Sequence, residues 1–111
     1  MSRENIKRGS GNLFADLGQA DPDTHLLKAE LVTRIRDIVE ANGLTQTLAA
    51  DRMGLSQPDV SRLFRGHFRD VSIERLMKML TRLGCDVDIV VRRRAKARRK
   101  AGSIQVHAEA A

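Results

Sequence analysis

The stretch TQTLAADRMGLSQPDVSRLFRG, residues 45–66, decides the fold, because nearly every position in it suits two short helices joined by a tight turn. Thr45 can cap a first helix whose Ala49, Ala50 and Met53 fall on one face, and Ala49 is small enough to let a second helix cross closely. Gly54 supplies the turn, where a positive φ costs a residue without a side chain little. Leu55 can plug the angle between the helices, and Ser56 can cap the second one with its hydroxyl on an orphan amide. Gln57 and Pro58 follow in the first turn, where a missing amide hydrogen is harmless. Val60, Leu63 and Phe64 take the three- and four-residue spacing of a buried stripe, which turns Gln57, Asp59, Ser61, Arg62 and Arg65 outward. A face of Gln, Ser and Arg suits base edges and phosphates.

The regions on either side obey the same grammar. Asp21 can cap a helix with Pro22 in its first position and Asp23 against the positive end of its dipole. That helix is expected from about Pro22 to Asn42, with Leu27, Leu31, Ile35, Ile38 and Val39 as its core stripe and Gly43 as its stop. Ser72 caps a further helix with Glu74 in its first turn and Ile73, Leu76, Met77, Leu80 and Leu83 buried, ending at Gly84. After Gly84 the period changes: Val87, Ile89 and Val91 alternate with Asp86, Asp88 and Val90, the pattern of a strand. A lone strand leaves its backbone groups unpaired. The expected resolution is pairing with the same strand of a second subunit across a two-fold axis.

The motif T-Q-x-x-A-A-x-x-x-G-L-S-Q-P-x-V-S-R-L-x-R-G resembles the XRE (Cro/repressor-type) helix-turn-helix domains. G-N-L-F-A-D-L-G (Gly11 to Gly18), L-L-K-A-E-L (Leu26 to Leu31), S-I-E-R-L (Ser72 to Leu76) and the closing L-G-C-D-V-D-I-V-V-R extend the resemblance to the HigA-like antitoxins, over residues 11–92. The sequence departs from the family at Leu48, where many relatives carry an acid, and at Asp59, an acid near the DNA-facing start of the recognition helix. The implied fold class is mainly α: a compact lambda-repressor-like bundle of four to five helices, plus one C-terminal strand pairing across a dimer. The expected organisation is an N-terminal arm with a short apolar segment over residues 1–20, a DNA-binding domain over 21–84, a dimerisation strand over 85–92 and a basic, disordered tail over 93–111.

Charge alone would mislead. The chain of 111 residues carries a formal net charge of +6, but seven of its twenty basic residues lie between Arg92 and Lys100 with no acid among them. The remaining thirteen face fourteen acids, so the rest of the chain is net −1. Its positive groups cluster instead, with Arg62, Arg65, His67 and Arg69 leaving the second motif helix. The basic tail is either a solvated appendage or a source of salt-dependent backbone affinity. Leu13, Phe14 and Leu17 form an apolar cluster that is either docked on the core or a partner contact. Three Phe and no Trp or Tyr leave no aromatic platform for single strands. One cysteine and three scattered histidines suggest no metal site, and no cofactor is expected. No apolar run approaches a membrane span or a signal peptide, so the expected location is cytoplasmic.

The functional expectation is a repressor that binds double-stranded DNA as a homodimer, at an inverted-repeat operator. Gln57, Pro58 and Arg62 form the base-reading set: an amide such as Gln57 can donate and accept at an adenine edge, and Arg62 can fork onto guanine. Gln46, by resemblance, contacts phosphate and buttresses the recognition helix, while Thr45, Ser61, Arg65 and Arg69 are further backbone contacts. Val87, Ile89 and Val91 form the dimer strand. Resemblance to the HigA-like group adds a RelE-type toxin, an mRNA-cleaving ribonuclease, as a partner. The alternatives are a module whose main role is neutralising that toxin, or a stand-alone regulator. An enzyme is not expected, since Ser56, Ser61 and Ser72 serve as caps or phosphate contacts and no histidine–carboxylate constellation or glycine-rich phosphate loop accompanies them.

Overall fold

The computed structural model describes residues 21–94 and 101–109. The apolar cluster at Leu13, Phe14 and Leu17, the rest of the arm and part of the basic run lie outside the described residues. Four helices follow one another: α1 Pro22–Ala41, α2 Gln46–Met53, α3 Gln57–Phe64 and α4 Ile73–Arg82. Each begins on a side-chain cap. The Asp21 carboxylate accepts from the Asp23 amide at 3.0 Å, Thr45 Oγ1 from Leu48 at 3.1 Å, Ser56 Oγ from Asp59 at 3.2 Å and Ser72 Oγ from Arg75 at 3.1 Å. Each such cap is worth about 1 kcal/mol. They define where each helix begins.

Packing fixes how the helices lie. α1 packs on α3 and α4, while α2 packs on α3 and α4, so the motif pair sits across the two longer helices. Ile35, Val60 and Leu76, from three different helices, are the largest fully buried side chains. Burying each contributes on the order of 1.5–3 kcal/mol. The expected stripe on α1 is present with two changes: Ile38 is only half-buried, and Lys28 and Val32 are buried. α1 meets neighbours on two sides, so its covered surface is wider than a single stripe. Met79 of α4 is likewise buried beyond the expected set.

Buried Lys28 finds a carbonyl partner. Its Nζ donates to the Arg69 carbonyl at 2.8 Å, across 41 residues of sequence. Next to it, His25 stacks on buried Phe68 with ring centroids 5.2 Å apart. The loop after α3 is therefore stapled to the first two turns of α1.

Beyond Gly84, whose φ of +95° is open only to glycine at low cost, residues 85–94 form neither helix nor strand, and no strand occurs among the described residues. Val87 nevertheless packs half-buried against the core, while Ile89, Val90 and Val91 are exposed. Residues 101–109 are also irregular, with Val106 half-buried against the same core. No helix of the described residues is long and apolar enough to cross a membrane.

Gly54 ends α2 at φ +74°, and a Cβ built there would lie 2.6 Å from Arg82 Nη1. Gly43 has φ +65° with nothing within 4 Å of such a Cβ. Gly54→Ala is therefore expected to destabilise the fold by about 1–2 kcal/mol from the left-handed backbone, plus the displacement of Arg82, and Gly43→Ala by the backbone part alone. Urea unfolding midpoints of the two variants check the order.

Candidate nucleic-acid interface

The geometry of the presented helix begins at the Gly54 turn. The Leu55 amide returns to the Ala50 carbonyl at 2.9 Å, closing α2, and Leu55 lies half-buried between the helices as its spacing suggested. Ala49 and Ala50 are both buried, and neither carries more than a methyl group on the covered side of α2. α3 then anchors through Val60 and Leu63 and carries Gln57, Pro58, Asp59 and Arg62 on an exposed face.

The side chains on that face are held before any ligand arrives. Gln57 Nε2 donates to Gln46 Oε1 at 2.9 Å, so the first residue of α3 is braced by the first residue of α2. This leaves the Gln57 carbonyl oxygen as an acceptor and the Gln46 amide nitrogen as a donor on two exposed residues. The Arg62 guanidinium, expected to fork onto guanine, pairs through Nη2 with Asp59 Oδ1, one turn back on the same helix. The acid singled out as a departure from the family is thus the partner of the arginine.

The expected backbone set divides into two places. Gln46, Ser61 and Arg65 line one open groove of about 420 Å³ between the end of α1, the start of α2 and the end of α3. Thr45 spends its oxygen on the α2 cap, which leaves its hydroxyl proton available. Arg69 is exposed on the stapled loop, apart from the groove.

Sequence reasoning missed Arg36. Its Nη2 donates to the Phe64 carbonyl at the end of α3, and its guanidinium carbon lies 5.3 Å from the centroid of the Phe64 ring. The position places a cation on the negative end of the α3 dipole and over an aromatic face, each a modest stabilisation. No spacing could reveal a pair 28 residues apart. A basic residue on the polar side of α1 was the available signal, and it reads equally well as a solvated charge.

A helix-turn-helix domain family model matches residues 13–92. A solved structure described as a candidate XRE family transcriptional regulator shares 34% identity at a TM-score of 0.73, over 78% of this chain and 97% of its own. No curated protein matches the sequence.

The Gln46–Gln57 bond implies that the two amides act as a unit. In a double-mutant cycle on affinity for duplex DNA, Gln46→Ala and Gln57→Ala are expected to be non-additive, with a coupling on the order of 0.5–3 kcal/mol. Titration of the four proteins against one duplex measures it.

Proposed function

The chain belongs to the XRE family of helix-turn-helix DNA-binding transcriptional regulators, and from that premise we propose that it is a homodimeric, sequence-specific repressor. The observation that carries this reading is the braced, exposed face of α3. Gln57 is fixed by Gln46 at 2.9 Å and Arg62 by Asp59, so two planar hydrogen-bonding groups are held on the surface a major groove admits. Gln57, Pro58 and Arg62 read bases; Thr45, Gln46, Ser61, Arg65 and Arg69 hold the phosphate backbone and set the register.

Dimerisation is supported by the segment after Gly84. Ile89, Val90 and Val91 are 75%, 75% and 91% exposed, an apolar strip that a soluble monomer has no reason to present. Pairing of the Val87, Ile89 and Val91 segment with a second copy satisfies its backbone groups and brings exposed Ile89 and Val91 against the partner, while Val87 keeps its half-buried place on the core. It also relates two α3 helices by a two-fold axis, so the operator is an inverted repeat with half-sites about 34 Å apart. The narrower role of a HigA-like antitoxin bound to a RelE-type toxin rests on sequence resemblance.

Replacing a bidentate base contact should cost about 1–3 kcal/mol and relax one operator position, whereas losing a phosphate contact should weaken all sequences nearly alike. Arg62→Ala is accordingly expected to change the sequence recovered from a random duplex pool. Arg65→Ala should lower affinity and flatten its salt dependence without changing the recovered sequence. If Arg62→Ala keeps the parent's ratio of specific to scrambled binding, α3 does not read bases through Arg62.

The dimer has its own check. Val87→Lys with Ile89→Lys places one cation at a half-buried contact with the core and one on the exposed strip, and is expected to give monomers by light scattering, with reduced operator affinity. A double variant that stays dimeric rules out pairing through this segment.

A further inference from the structure

An acid on a DNA-facing helix needs an explanation. Duplex DNA carries about one negative charge per 1.7 Å of axis, so a carboxylate on α3 faces both repulsion and loss of water on docking. Asp59 sits in the first turn of α3, with its amide donated to Ser56 Oγ at 3.2 Å. Its Oδ1 is engaged by Arg62 Nη2 on the same exposed face, both side chains remaining about half exposed at 48% and 54%. In water such a pair contributes little stability. Its importance lies in what it presents once water is expelled.

From this juxtaposition we infer that Asp59 is a specificity-determining residue that acts together with Arg62, an inference that rests on α3 being the base-reading helix. The pair has two consequences. First, one guanidinium nitrogen is occupied by Oδ1, which fixes the plane of the fork and aims the remaining donors at O6 and N7 of a guanine. Second, the pair is neutral overall, so Arg62 is drawn less to phosphates than a lone arginine would be, and binding to arbitrary sequence is weakened.

Asp59 Oδ2 remains as an acceptor on a half-exposed side chain. In the major groove the donors available to it are exocyclic amino groups, N4 of cytosine and N6 of adenine. Guanine and thymine offer acceptors at the corresponding edge, and a carboxylate repels them. The half-site is therefore a guanine under Arg62 adjoined by an amino-bearing base under Asp59.

Selection of the full-length chain, Asp59→Ala, Asp59→Asn and Arg62→Ala from one random duplex pool tests this, with circular dichroism confirming that each keeps its helices. The parent is expected to enrich guanine next to cytosine or adenine. Asp59→Ala should relax both positions by roughly 5-fold or more, while binding scrambled duplex more tightly and with a log–log salt slope steeper by about one, since Arg62 is released to phosphate. Asp59→Asn keeps the shape and should move the neighbouring preference to adenine, which an amide contacts with both its groups. The inference is overturned if both Asp59 variants recover the parent sequence at the parent ratio while Arg62→Ala relaxes the guanine, for then Arg62 reads alone. If Arg62→Ala also recovers the parent sequence, base reading at this position fails, and the inference falls with it.

Discussion

The packing of α2 against α3 around the Gly54 turn is the constraint on which the rest of the molecule depends. The buried α2 residues Ala49 and Ala50 are both small, and the left-handed residue Gly54 sets the direction in which the chain re-enters. Neither helix could hold that geometry alone: each has eight residues, below the ~12–15 at which an isolated helix becomes marginal in water. They exist because Met53, Val60 and Leu63 are buried against α1 and α4. The presented face is thus a property of the whole core, not of the motif that displays it.

Much of this was legible in residues 45–66 because the relevant physics is local. Caps, turn glycines and three-to-four spacing act within one or two turns, and Thr45, Gly54, Ser56 and Ser72 take the conformations their chemistry favours. What sequence could not show are contacts between distant elements. Lys28 on the Arg69 carbonyl, His25 on Phe68 and Arg36 on Phe64 join residues that share no period, and each uses a polar side chain that reads as solvated surface. The wider burial of α1 has the same origin, since a helix touched from two sides buries more than one stripe.

The candidate site shows the same division at closer range. The outward set on α3 followed from excluding the buried stripe, and the structure exposes Gln57, Pro58 and Arg62 together. The pairing of Arg62 with Asp59 is a local, three-residue relation, legible in the spacing even though Asp59 departs from the family pattern. A charge three residues before an arginine on a helix is a neighbour first. Net charge was the poorer guide, because the positive total comes from the run at Arg92 to Lys100, whereas the face that matters carries a balanced pair.

These contacts also explain why α1 carries more than core residues. Arg36 holds the end of α3, Lys28 and His25 hold the loop that follows it, and Gln46 holds its beginning from α2. The recognition helix is fixed at both ends and beneath, with no single strong interaction. Bidentate hydrogen bonding requires donor–acceptor distances within a few tenths of an ångström of about 2.9 Å and near-linear angles, and it weakens steeply outside that range. A short helix supported at one end would sample orientations wider than this tolerance. Support from α1 and α2 narrows them, so on the proposed reading discrimination between bases depends on the packing of α1 as well as on the residues proposed to touch the DNA.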